Sequence, residues 1–310
     1  MKVGRKTGKA LTTAGTVAVL GLLVTTQRAL ALPIDLGTAG PGNWALLEIS
    51  GLYGPAGYVA ESDSENVSGA AAPPVGSITG NVGLANVSKM TTSAGNFPIN
   101  GTVFVGDQSS VDSATVANAS GNVVQNALSQ ALTRQAAIDA RAASTAAAGL
   151  ASFGGGVGVS SITAGGSLTP GVYNLTDFQL PNGAVLNLGS GGSYVFNISG
   201  TLKLDHAQVL TAAGLSESEV LFNVTGTHGV AFSGGLATES VLHGIILAPD
   251  ASISLTPGLI VGEMISGEGI NIASGGTIRG ISTVPDAGSS LALMSIGLGF
   301  LATAKRKFLS

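Results

Sequence analysis

The residues with the most obvious capacity for chemistry are carboxylates. Asp177, Asp205, Glu217, Glu219, Glu239, Asp250, Glu263 and Glu268 are spread through the second half of the chain. Cleaving a polysaccharide needs two carboxyl groups about 5–10 Å apart across one groove, one acting as acid and the other as base or nucleophile. A Ca²⁺-assisted route needs Asp clusters and a nearby base. Here the acids stand singly, Glu263 and Glu268 form the closest candidate pair, and Lys203 and Arg279 are the only bases between residue 152 and the tail. His206, His228 and His243 have no i, i+3 or i+4 partner, so they form no local zinc pattern. There is no nucleophile elbow, no phosphate loop and no Gly-Asp nonapeptide repeat. The sequence therefore offers no catalytic residues, no metal site and no cofactor site, and the expectation is a protein that is not an enzyme.

Composition narrows the setting. Of 310 residues only 10% are charged, against 45% hydrophobic, with 47 Gly and no Cys. Disulfides and Cys-based zinc sites are thereby excluded. Lys2, Arg5, Lys6, Lys9 and Arg28 lie near the N-terminus, and Lys305, Arg306 and Lys307 near the C-terminus. Between them, seventeen acidic side chains face five basic ones, a net of −12. Such a body repels phosphate and is a poor partner for nucleic acid.

Both ends read as targeting segments. Residues 1–31 carry a basic start, an apolar run over 11–24, and small residues Ala29 and Ala31 at the −3 and −1 positions of a cleavage site. This is a signal peptide for the Sec machinery, with a retained anchor as the alternative. At the other end, Val284, Pro285, Asp286, Gly288 and Ser289 form a turn-rich motif. An apolar stretch over 291–304 follows, then the basic stop Lys305-Arg306-Lys307. The order predicts a short membrane helix with its basic end inside and the body outside. This tail resembles the PEP-CTERM class of sorting signals, in its Val-Pro-Asp-x-Gly (VPDSG-type) variant. The resemblance implies recognition and cutting near Pro285 by an exosortase-type membrane protease. An ordinary membrane anchor and a buried core helix remain the alternatives from the residues alone.

Between the ends, residues 32–283 form the body. Short apolar runs separated by Gly, Ser and Asn read as strands closed by tight turns, among them 44–47, 77–84 and 101–106. Residues 66–74 read as a loop. Residues from about 121 to 151 lack Pro and are rich in Ala; they predict a long helix with Ser120 as its cap, presenting Val124, Leu128, Ala131, Ile138 and Ala142 on one face. Beyond it, runs such as Tyr194-Val195-Phe196-Asn197-Ile198 and Val220-Leu221-Phe222-Asn223-Val224 repeat Asn between apolar residues. The starts Val220, Val241, Leu259 and Thr277 recur at 21, 18 and 18 residues. That spacing suits one rung of a three-sided β-helix, with Gly or Asn turning the corners. The expected fold is all-β with one long helix: a β-solenoid with an Ala-rich α-helix packed alongside. A β-sandwich is the rival.

The runs Leu168-Thr169-Pro170-Gly171-Val172-Tyr173, Tyr194 to Ile198 with Gly200-Thr201-Leu202, and Gly244-Ile245-Ile246-Leu247-Ala248-Pro249 resemble the ice-binding-like family of secreted bacterial β-solenoids. The stretch 220–272 equally resembles the choice-of-anchor A group of surface proteins. Both resemblances imply a solenoid, and the first implies one helix along it. An ice-contacting face needs ordered hydroxyl and methyl groups. The Thr residues form no Thr-x-Thr ladder, but Ser252, Ser254 and Thr256 alternate on one strand and are the candidate binding face. The expected role is structural or adhesive, at the cell surface or in a biofilm matrix, with exopolysaccharide as partner. Ice binding is the second expectation, and a polysaccharide-degrading enzyme the third.

Overall fold

A computed structural model describes residues 34–281 except for 51, 55–56, 60–75, 86–87, 93–96, 108, 120–121, 235–238 and 274. The leader at 1–31, the loop at 66–74, the cap at Ser120 and the whole tail at 284–310, with its sorting motif, 291–304 helix and basic stop, lie outside the described residues. No described helix is long and apolar enough to cross a membrane.

The described strands wind into a solenoid with three parallel faces. On the first face the hydrogen-bonded order runs Val123–Val124, Val103–Val105, Val82–Leu84, Leu46–Glu48, Gly258–Ser266, Ser240–Ala248, Val220–Val224, Tyr194–Ile198, Gly171–Leu175 and Phe153–Gly154. Every pairing in that row is parallel except the last, where Phe153–Gly154 runs antiparallel to Gly171–Leu175. The second face follows Gly166–Leu168, Val185–Leu188, Gln208–Thr211, the first halves of Ser240–Ala248 and Gly258–Ser266, then Thr277–Arg279, Ser77–Thr79 and Ile99–Asn100. The third is a six-stranded sheet from Ser161–Ile162 to Ile270–Ile272.

Strand order explains which spacings carry information. Val241, Leu259 and Thr277 are true register partners, so both intervals of 18 are complete rungs. The first interval is not a rung. Val220 lies on the first face opposite Tyr194, and the partner of Val241 is Gln208. Two residues on different faces share the same apolar start, and periodicity along the chain does not distinguish faces. The corner between the first two faces is turned by Gly244 and Gly262, at φ 144° and 152°, where a side chain is strained and a Cβ on Gly262 would sit 1.8 Å from the Gly244 carbonyl oxygen.

Inside, alternate residues of each strand stack on their equivalents in the next rung. Tyr173, Phe196 and Phe222 are in register, and their rings stack at centroid separations of 5.0 and 4.8 Å, about one strand spacing. Phe178 meets Phe196 and Phe222 edge-on at 5.5 Å from each. Leu, Ile and Val complete the interior, from Ile162 to Ile278.

The helix runs over Ala127–Ala148, starting six residues later and ending three earlier than expected. Asn126 caps it, accepting from the Leu128 and Ser129 backbone N–H groups, while the Ser129 hydroxyl accepts from the Asn126 N–H. Val124 belongs to a strand instead. The buried face is also the reverse of the one expected. Leu128 is 77% exposed and Ile138 44%, while Ser129, Thr133, Ala136, Ala137, Ala140, Ala143, Ser144 and Ala147 are buried. Small residues let the helix lie close over the first face, whose outward Val172, Val195, Leu221, Ile245 and Leu247 pack beneath it.

That closeness gives the repeated Asn residues their role. They do not turn corners. Asn174, Asn197 and Asn223 stand in register and are linked amide to amide at 2.9 Å. Each also donates to a backbone carbonyl at the end of the helix: Asn223 to Ser144, Asn197 to Ala147 and Asn174 to Leu150, at 3.0, 2.7 and 2.9 Å. These bonds pair the buried Asn197 and Asn223 amides and tie the sheet to the C-terminal end of the helix. Asn223→Leu keeps the shape, since Leu247 occupies the same column in the next rung. It removes the donors to Ser144 and Asn197 and the acceptor for the Ser144 hydroxyl. The expected loss is about 1–3 kcal/mol in chemical denaturation, with a smaller loss for Asn174→Ala at the exposed end of the ladder.

Candidate functional site

The first face is covered by the helix, so ligand contact falls to the other two. On the six-stranded sheet the inward column is apolar: Phe178, Leu202, Val230, Ile253 and Ile270 all contribute to the core. Strand alternation then turns the intervening residues to solvent. Register aligns Gln179, Lys203, Ala231, Ser254 and Asn271 in one outward row. Asp205, Ser233 and Thr256 make a second row. The candidate residues Ser252, Ser254 and Thr256 sit on this sheet or at its border, and the Ser254 and Thr256 hydroxyls are 3.5 Å apart. Sequence reading found one strand of this surface. It missed the rows across strands, because Ala231, Lys203 and Gln179 share nothing that marks them as neighbours until the register is known.

The second face is mixed. One row reads Val185, Gln208, Val241, Leu259, Thr277 and Ser77. A second reads His243, Val261, Arg279, Thr79 and Asn100. A short turn, Glu217–Glu219, lies against it, and Glu217 Oε1 meets His243 Nδ1 at 3.0 Å. Thus His243 is engaged in a local contact. His206 is likewise held by Asp205 at 2.7 Å and occupies a left-handed corner at φ 48°, while His228 is exposed. A shallow trough of about 360 Å³ opens where the helix ends, bordered by Ala148, Asn174, Thr176, Ser199 and Thr225. The hydroxyls of Thr176, Ser199 and Thr225 are spent on backbone carbonyls of neighbouring rungs.

The carboxylate pair does not converge. Glu268 is exposed in the turn after Ser266, whereas Glu263 is fully buried. Both Glu263 oxygens lack a hydrogen-bond partner. Its strand, Gly258–Ser266, carries the seam where Leu46–Glu48 docks. Burial pushes the Glu263 carboxyl well above the usual carboxylate range, offset in part by the nearby Trp44 backbone N–H. Trp44 closes the same seam: its indole N–H donates to the Thr38 carbonyl at 2.8 Å, and its ring lies over Gly83, where a Cβ would clash. Among the described residues no three His, Asp or Glu side chains come together to hold a metal.

A raised carboxyl pKa in the fold means that folding takes up a proton between the unfolded and folded pKa values. Stability from this group is full below the ordinary Glu range near 4.3 and is lost as pH rises through the raised value. Thermal melts of the wild type therefore fall, as pH rises above the ordinary Glu range, by more than those of the Glu263→Gln variant, whose profile is flatter.

A family model described as ice-binding-like matches residues 66–280, and one described as the VPDSG-CTERM motif matches residues 283–308. No curated protein matches. Solved structures do. A glycosylated ice-binding protein from an Arctic yeast aligns with a TM-score of 0.56 at 18% identity, over 80% of this chain and 94% of that one. An ice-binding protein from an Antarctic bacterium of the Flavobacteriaceae aligns with a TM-score of 0.50 at 23% identity, over 79% of this chain and 47% of that one. At these identities the likeness establishes a common fold. A helix flanking a rung stack, a chain that doubles back to close it and a sorting motif at the end are thus accounted for together: the chain belongs to the ice-binding-like family and carries a C-terminal sorting signal of the VPDSG-CTERM type.

Proposed function

We propose that this is an exported surface protein whose solenoid makes structural or adhesive contacts with exopolysaccharide. In this reading the Sec machinery delivers the chain. An exosortase-type protease then acts at Val284, Pro285, Asp286, Gly288 and Ser289, with Lys305, Arg306 and Lys307 holding the tail in the membrane until then. The observation that carries the reading is the outward row Gln179, Lys203, Ala231, Ser254 and Asn271. Gln179, Lys203, Ser254 and Asn271 offer side-chain donors and acceptors along it, interrupted at Ala231, at one strand spacing of about 4.8 Å. An extended, repeating, hydroxyl-rich polymer suits such a surface, because many weak contacts add along its length.

Ice binding is the second reading, favoured by the shared fold of ice-binding proteins from cold habitats. Against a strict ice match, Lys203 and Asp205 interrupt the rows of small residues. Two assays on the processed protein separate the readings. Retention on the producer's own exopolysaccharide, weakened roughly tenfold by Ser254→Trp with an unchanged melting temperature, supports the first. Inhibition of ice recrystallisation without polysaccharide retention replaces it with the second. The sorting claim is checked by mass spectrometry of surface material: the expected C-terminus falls near Pro285, and an intact Ser310 would count against processing.

A further inference from the structure

The two ends of the solenoid are finished differently. At one end the short helix Ser113–Asn118 closes the core, bringing buried Thr115 and Ala119 over Met90. Its surroundings are polar: Asp112 accepts from the Thr115 N–H at 2.7 Å, and Asn118 donates to the Thr92 hydroxyl at 2.7 Å. The opposite end has no such cover among the described residues. A glycine-rich turn lies flat over the last rung, with Gly155 against the Tyr173 hydroxyl. From it project Phe153, 70% exposed, and Val157, 68% exposed. Strand Phe153–Gly154 ends the first face, and its outer edge pairs with no described strand. Solenoid ends need polar caps or blocked edges to stay apart, and among the described residues this tip shows neither.

Charge narrows what the tip can meet. From residue 142 to residue 176 there is no Asp, Glu, Lys, Arg or His. The chain between its basic termini is otherwise strongly acidic, so most approaches by an identical chain place like charges together. The tip is where a second copy meets no such penalty. An antiparallel edge is also self-complementary under a twofold axis, which is what an isologous contact requires. Finally, the described chain ends at Ile281, just after Thr277–Arg279. On the second face that strand lies five strand steps from Gly166–Leu168 at the tip end and two from Ile99–Asn100 at the capped end, about 24 Å against 10 Å. The sorting tail is thus rooted nearer the capped end, which leaves the tip the farther of the two from it.

We propose that the tip is a homophilic contact: two copies of this chain dock end to end through Phe153, Val157 and the free edge of Phe153–Gly154. The contact is small and weak for one pair, and display of many copies on a surface multiplies it. The test is sedimentation velocity on the processed protein recovered from its cells, over a wide concentration range. The expected result is a reversible monomer–dimer equilibrium, weakened at least about tenfold in a Phe153→Asp, Val157→Asp double variant. Leu128→Asp, which changes an equally exposed apolar residue away from the tip, should leave it unchanged. Circular dichroism melts of each variant confirm that the fold is intact. A wild type that stays monomeric throughout overturns the proposal, as does a dimer indifferent to the double change. Polysaccharide retention that falls in the double variant while the wild type is monomeric also overturns it, and assigns the tip to sugar instead.

Discussion

Strand Leu46–Glu48 lies between Val82–Leu84, which follows it by 36 positions, and Gly258–Ser266, which follows it by more than 200. Both of its edges are bonded, and so are those of nearly every strand on that face. A parallel stack has no local turn that can close it, because each strand's backbone must wait for the strand of the next rung. The consequence is a chain laid down in two opposite directions from one seam. Residues from 46 to 124 build outward to the capped end. The stack from 153 to 281 starts at the far tip and returns to the seam, where Thr277–Arg279 meets Ser77–Thr79.

The long helix is the solution to that geometry. Twenty-two residues span about 33 Å, close to the six strand spacings, about 29 Å, from Val103–Val105 to Tyr194–Ile198. It carries the chain from one end towards the other while covering a whole sheet. A helix that serves as a strut has to lie close along its length, and only small residues permit this. The side chains that looked like a hydrophobic stripe, Leu128 and Ile138, are therefore on the outside. Arg141 fastens its middle by donating to the Ile49 carbonyl at 3.0 Å, and Asp139 holds the short turn Gly37–Ala39 against it by accepting from the Thr38 hydroxyl at 2.7 Å.

This explains what was legible from the residues alone. The 18-residue rung and the existence of one long helix follow from local pattern, and they are present: Val241, Leu259 and Thr277 mark true rungs. The helix's buried side was not legible. Its partner is a sheet assembled from distant segments, and an Ala-rich stripe gives a weak hydrophobic signal in either direction. The Asn ladder was visible as a repeat but not as a function, since its acceptors are carbonyls at and just beyond the helix end, 24 to 79 positions away. The candidate face was visible strand by strand and became a surface only when the register aligned Ala231 with Ser254 and Lys203. A solenoid hides its sites from sequence for one reason: a face is read across rungs, and the chain is written along them.

The buried Glu263 belongs to the same logic. Its strand carries the seam, flanked by Ser240–Ala248 on one side and Leu46–Glu48 on the other. An aliphatic side chain would suit the position better, as Ile245 does in the same column. A carboxyl without partners costs stability at the joint on which closure depends. Elsewhere the chain spends polar groups carefully: Asn223, Ser144 and Ser266 are all buried and all bonded. At the seam, rung stacking, hydrophobic packing and electrostatics therefore disagree. It is also where the two halves of the stack, built in opposite directions, have to meet, so a destabilising buried carboxyl sits at the joint that closes the solenoid.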